Sequence, residues 1–194
     1  MRGASTRGPA GLIAPGARRT WEAAGGAIPS LGAVYNTDTA GVAPNLGASP
    51  NILSKFGRIG KECFATCRIH AGASDTTAGE GYITLEGLPV RPNYVGAGAD
   101  GGQKIGDGFI LNPSTFQFYP LWVVMDPYYS TTAPVFFVPQ TVSGGNWVPT
   151  SFAGDPLPLL HGDGTFPTYG ALSASPFSLA SEYRLNVTLQ YEGV

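Results

Sequence analysis

The chain has 194 residues, of which 28 are glycine and 17 proline, about twice the usual combined share of those two residues, so long helices are excluded. Charged residues make up 12% while 43% are hydrophobic and 11% aromatic, which excludes a disordered polyelectrolyte and leaves enough apolar material for one core of ordinary domain size. A formal charge of −2 and a pI near 5.6 argue against a chain-wide nucleic-acid footprint, so no specific nucleic-acid partner is expected.

Residues 1–20 carry Arg2, Arg7, Arg18 and Arg19, no acidic residue, and prolines at 9 and 15. They are expected to form an extended basic arm that docks on an acidic protein surface or a neighbouring copy of the chain. The apolar content of this arm is too interrupted for a signal peptide. No stretch approaches the roughly 18 apolar residues of a membrane span, so none is expected. Residues 21–51 read as a loop-rich lead-in with two similar phrases, Ile28-Pro29-Ser30-Leu31-Gly32 and Ala43-Pro44-Asn45-Leu46-Gly47. Residues 52–194 read as the domain proper.

Within that domain a strand is predicted over Glu62 to Ala71. Cys63, Ala65, Cys67, Ile69 and Ala71 fall on one face, and Phe64, Thr66, Arg68 and His70 on the other. Two residues four apart in a strand lie about 13 Å apart at roughly 3.3 Å per residue, beyond the roughly 7 Å reach of a disulfide. Cys63 and Cys67 are therefore expected to be free, buried thiols, in keeping with synthesis in a reducing cytoplasm. Arg58-Ile59-Gly60-Lys61 reads as the turn leading into this strand, with Gly60 permitting positive φ.

Further strands are predicted over Gly81 to Glu86, Phe109 to Leu111, Thr115 to Tyr119, Leu121 to Met125 and Val135 to Val138, each bounded by Gly, Pro, Asn or Ser. Leu88-Pro89-Val90 ends the first of these, because proline removes a ladder donor. Long connections are predicted over Asn93 to Gly108 and Ser143 to Tyr169. The final strand has the strictest alternation: Tyr183, Leu185, Val187, Leu189 and Tyr191 are apolar, and Arg184, Asn186, Thr188, Gln190 and Glu192 polar. Short strands punctuated by turn chemistry imply an all-β fold, an antiparallel sandwich of jelly-roll type with an extended N-terminal arm and long loops.

The chain offers little for catalysis. Gly96, Gly98 and Gly101 have the spacing of a dinucleotide fingerprint, but the residues that follow, Gly102 to Gly106, cannot start the helix whose N-terminus would hold a pyrophosphate. His70 and His161 are the only histidines. His161 with Asp163 gives two ligands where zinc wants three or four, and Asp155 and Asp163 lack the alternating pattern of a calcium loop. Asp100, Asp107, Asp126, Asp155 and Asp163 all fall in predicted loops without the pairing that glycoside hydrolysis needs. No metal, cofactor or enzymatic activity is expected. Among the aromatic residues of the second half, Tyr128, Tyr129 and Trp147 are predicted in loops, where they could stack on a host cell-surface glycan or pack against a partner.

Several phrases occur in an order that resembles a known family. Pro44-Asn45-Leu46-Gly47, then Ile52 through Phe56-Gly57-Arg58-Ile59-Gly60-Lys61, then Arg68-Ile69-His70-Ala71-Gly72, are similar to the C-terminal β-domains of minor tail and fibre-like proteins of actinobacterial tailed phages. Gly79 to Val90 looks like that family's hairpin, and Ser175 to Ser181 with Leu189-Gln190-Tyr191-Glu192 like its closing strand. Phe56 stands where the family usually has Tyr, and Leu179 where it often has Trp. The collagen-like or coiled region usual upstream is replaced by the short arginine arm.

The resemblance implies a jelly-roll-like sandwich, often trimeric, on a virion surface, with no catalytic residues to carry over. The expected role is a virion structural protein made in the bacterial host cytoplasm, a minor tail or tail-tip component working by oligomeric packing against other virion proteins. Capsid decoration through the N-terminal arm, and a carbohydrate-binding module, are the alternatives.

Overall fold

The structure is a computed structural model that describes residues 18–36, 39–77, 79, 82–94, 102–112, 117–127, 129–137, 140–143, 146–149 and 182–194. Its strands, in chain order, are β1 (Ser30–Asn36), β2 (Thr39–Ala40), β3 (Asn45–Leu46), β4 (Asn51–Ile59), β5 (Glu62–His70), β6 (Thr76–Thr77) and β7 (Tyr82–Glu86). They continue with β8 (Gln103–Asn112), β9 (Gln117–Met125), β10 (Val135–Phe137), β11 (Gln140–Ser143), β12 (Asn146–Pro149) and β13 (Arg184–Glu192). Among the described residues, nine of them form one antiparallel sheet in the order β2-β1-β7-β10-β9-β8-β13-β5-β4. The sheet curls around its apolar face, giving the all-β, sandwich-like fold that the alternation implied. β11 with β12, and β3 with β6, make two small additional pairs.

The ladder β4-β5-β13 is the regular heart of the sheet. β5 pairs with both neighbours along its whole length, from Glu62 opposite Ile59 and Glu192 to His70 opposite Asn51 and Arg184. The two-residue turn Gly60-Lys61 joins β4 to β5. Gly60 has φ 60° while Lys61 is not left-handed, the pattern of a II′ hairpin whose twist matches that of the strands. Cys63, Ala65, Cys67, Ile69, Leu185, Val187, Leu189 and Tyr191 all point into the core and are at most 4% exposed. The predicted period of two is therefore seen on both strands.

Two other regions follow different rules. On β7, Tyr82, Ile83, Thr84 and Leu85 are buried in succession, because this half of the sheet is covered on both faces. Ile83 and Leu85 join the main core. Tyr82 packs with Val124 and Val135 in a second cluster on the opposite face, together with Val34, Trp122 and Tyr129. A turn over Asp126 to Pro134 lies beside it. Ser130 Oγ shapes that turn by accepting the Thr132 and Ala133 amides at 3.3 and 3.0 Å.

β8 is the clearest departure from the predicted elements. Gln103 to Gly108 was expected in a long connection, yet it is strand and pairs with β9 and β13. The glycines that read as a loop are needed by the pairing. A Cβ on Gly106 would strike the Thr188 carbonyl and the Leu189 side chain, and one on Gly108 the Asn186 carbonyl and Val187. A bulge between Lys104 and Gly106 turns Ile105 into the core. The two strands predicted over Thr115 to Met125 are a single β9 from Gln117. Pro120 lies in it opposite Phe109 of β8 and beyond the reach of β10, which pairs only with Trp122 to Val124, so it removes a donor where the strand has one neighbour rather than two. The lead-in 21–51 also contains β1, a seven-residue strand paired with β7 along five positions.

The segment before β1 ties one side of the sheet to the other. Arg19 exchanges both main-chain hydrogen bonds with Phe56 of β4, at 3.0 and 2.7 Å. Trp21 then turns inward, fully buried, with its amide bonded to Ser54 Oγ at 3.1 Å and its indole N–H donated to the Lys55 carbonyl at 3.2 Å. A single 3-10 turn at Glu22–Ala24 ends on left-handed Gly25. Gly26 then passes so close to Gly87 and Pro89 that no side chain fits there, and Ala27 N–H bonds to the Gly87 carbonyl at 3.1 Å. Replacing Trp21 with Ala should lower the unfolding free energy by about 3–5 kcal/mol, read as a drop in urea midpoint with the slope unchanged; a loss under about 1 kcal/mol would show that the sheet closes without this residue.

Candidate interaction surface

The groups with most intrinsic reactivity are all inside. Cys63 and Cys67 are free and buried, as the strand geometry required. Burial pushes the Cys67 thiol up to about 12. Burial also raises Cys63, against a smaller lowering by the nearby Arg58 guanidinium. Tyr183 and Tyr191 are raised by burial as well. Tyr191 donates its hydroxyl to the Val90 carbonyl at 2.9 Å, whereas the Tyr183 hydroxyl has no hydrogen-bond partner among the described residues. Neutral, enclosed thiols are poor nucleophiles, so these side chains act as packing.

The expected site residues are scattered. Arg18 and Arg19 are exposed, and Arg19 is held against β4 by its backbone. Arg2 and Arg7 lie outside the described residues, as do Tyr128, His161, Asp100, Asp155, Asp163 and the glycine fingerprint. Trp147 belongs to β12, with only its strand placement described. Tyr129 is half-buried and sets its ring edge-on against Tyr82, centroids 4.9 Å apart. It therefore belongs to the second apolar cluster. Asp107 pairs with Lys104 at 2.5 Å, and the Lys104 ammonium lies 4.8 Å from the centre of the Trp122 ring.

Two surface features stand out on the water-facing side of β4, β5 and β13. The first is the outermost strand β4, whose solvent face carries Leu53 and Ile59 at 58% and 64% exposure. Among the described residues, its free edge is met by main-chain pairing only at Arg19. The second is a cluster of cations at one end of the same face. Arg184 stands directly opposite His70, and His70 opposite Asn51; Arg68 stands opposite Asn186 and Leu53. Arg68, Arg184 and Asn51 are exposed, and His70 and Asn186 half-exposed. Among the described residues the ion pairs are Lys61 with Glu192 and Lys104 with Asp107, so neither arginine of this cluster, nor His70, has an acidic partner there.

The sequence puts Arg68, His70 and Arg184 on polar faces but cannot bring them together. Only the β5–β13 register does that. Loops at this end of the sheet are tightly specified: Gly72 gives its amide to the Leu46 carbonyl and its carbonyl to the Glu182 amide, and Ser49, Asp75 and Glu182 adopt left-handed φ of 53°, 61° and 59°. Non-glycine residues in that region cost of order 1 kcal/mol or more each and mark loops whose shape the surroundings dictate. No protein-family model matches the chain, and comparison with curated proteins and with solved structures finds no significant match.

Two measurements test this assignment of the buried groups. A thiol raised by burial stabilises the folded state below its ordinary value near 9. The unfolded chain releases the proton from that pH upward while the folded chain keeps it, so stability should fall as pH rises from about 9 towards about 12. Urea midpoints across that range should show the decline, and Cys67→Ala should flatten part of it; an equal slope in the variant would mean that Cys67 is not the group responsible. Tyr183→Phe removes a buried hydroxyl that has no partner among the described residues and should leave stability unchanged or raise it by up to about 1 kcal/mol. A clear loss in thermal unfolding would reveal a hydrogen bond to that oxygen.

Proposed function

We propose that the protein is a non-enzymatic structural component of a phage virion, a minor tail or tail-tip protein whose sheet packs against further copies of itself. The observation that carries this reading is β4. It is a nine-residue outermost strand with two large apolar side chains on its solvent face and one main-chain bridge among the described residues guarding its edge. An open edge strand is a template for pairing with another chain, and Leu53 and Ile59 add apolar contact on either side of the exposed Lys55 of that face. The resemblance of the ordered phrases from Pro44 to Glu192 to phage tail β-domains supplies the setting, and it favours a trimer.

Capsid decoration is the second reading, supported by the exposed Arg18 and Arg19 where the arm meets β4. Light scattering of the purified chain should give a mass near three times the 20.1 kDa of one copy. Leu53→Asp with Ile59→Asp should return it to one copy without altering the far-ultraviolet circular dichroism. A wild-type chain that stays single at tens of micromolar would overturn packing through β4. Antibody labelling of purified particles then separates tail from head, and particles free of the chain would end the virion reading.

A further inference from the structure

We propose that the cationic end of the β5–β13 face, built from Arg68, His70 and Arg184 with Asn51 and Asn186 between and beside them, is a binding site for a carboxylate-bearing polysaccharide. The site does not depend on the chain forming an oligomer or belonging to a virion. It is also separate from the loop aromatics.

Cross-strand neighbours on one face stand about 4.5–5.5 Å apart between Cβ atoms, and residues two apart on a strand about 7 Å apart. The pairing therefore places position 70 directly beside Arg184 on this face, with Arg68 on the diagonal. Like charges near one another on a sheet destabilise it, and no acid among the described residues sits within ion-pairing distance of the two arginines to compensate. The acids on this face lie elsewhere. Asp107, opposite Thr188, is held by Lys104. Glu62 and Glu192 are paired at the other end of the ladder, about 26 Å from His70 at 3.3 Å per residue. Asp75 and Glu182 lie on the loops at the cationic end; the Asp75 carboxylate accepts the Ser74 hydroxyl at 3.1 Å. Arg68 and Arg184 are thus without an ion-pair partner among the described residues and open to an outside anion, with Asp75 and Glu182 on the adjoining loops.

The neighbours of the cations decide which anion. A flat, solvated sheet face gives one small ion little enclosure, and exposed charge pairs are weak and screened by salt. Useful affinity there requires a ligand that repeats its charge along a chain. Two guanidiniums offer planar forks that match carboxylates. Asn51 and Asn186 each present both a donor and an acceptor, which suits the hydroxyls of sugar rings, whereas a carboxylate engages only the donor. Half-buried Phe109, opposite Asn186 on β8, flanks the polar groups with apolar surface of the kind a sugar ring covers.

The test uses the full chain in affinity electrophoresis through gels containing polygalacturonate, neutral dextran, poly-glutamate or single-stranded DNA at matched charge and ionic strength. Polygalacturonate should retard the protein most, and dextran not at all. Arg68→Gln with Arg184→Gln should weaken retention on the order of tenfold or more, as expected for losing two charge-assisted contacts. Arg91→Gln, an exposed cation outside this face, should leave it unchanged. Asn51→Ala with Asn186→Ala should weaken retention by polygalacturonate more than retention by poly-glutamate. Equal retention of the double arginine variant, equal retardation by dextran, or stronger binding to poly-glutamate or DNA would each overturn the assignment. Both variants alter surface positions, and circular dichroism with thermal unfolding confirms that they fold.

Discussion

A curled sheet encloses a core only if something holds its far strands in relation to one another, and in this chain that constraint rests on Trp21. Arg19, two residues before it, pairs with β4, its indole N–H bonds to Lys55 of that strand, and its ring lies wholly in the core. Six residues later the chain is bonded to Gly87, just past β7, and it enters β1 shortly after. Strands that lie at or near opposite limits of the sheet are thereby linked by one short stretch of polypeptide. The ring supplies the largest fully buried side chain at the point where the two sides converge. Core residues from β1, β4, β5, β7, β8, β9 and β13 then form a single cluster.

Closure also explains which parts of the fold can be read without coordinates. β5 and β13 keep one face on the core and one in water over nine residues, so their apolar period is undiluted and the sequence shows it plainly. β7 is legible as a strand over Gly81 to Glu86, but burial on both of its faces leaves no alternation to show which side meets the core. The first half of β8 is hidden for another reason. Gly106 and Gly108 leave space for the β13 backbone, and glycine at alternate positions has the appearance of a loop. β1 is hidden by Gly32, where any side chain would meet Thr84 and Glu86, whose side chains are themselves joined by a 2.6 Å hydrogen bond. Glycine in this chain therefore has two meanings: left-handed turns such as Gly60, and close backbone approach within strands.

The candidate surface was less legible than the fold, because it is a property of register. Arg68 and His70 lie on one strand and Arg184 on another far along the chain. Nothing in either segment says that position 70 will face position 184 when position 191 faces position 63. That alignment follows from burying Tyr191 and Cys63 on the same side of the ladder; a one-residue slip would move the whole apolar set to solvent. The apolar pattern of the core thus dictates, indirectly, which polar groups meet on the outside.

The same reasoning bears on why a like-charged cluster is tolerated. The ladder from Glu62 to His70 is paired on both sides without a shift, and its inner face is nearly sealed from water. The repulsion of exposed cations at one end is screened by solvent and amounts to a fraction of a kcal/mol per pair. Burying one apolar side chain of the opposite face contributes about 1.5–3 kcal/mol. Magnitudes of that order leave the outer face almost free to vary without loss of the fold. Core packing sets the places of Arg68, His70 and Arg184; their charge is therefore available for recognition, and it is on that outer face that the chemistry of a partner has to be sought.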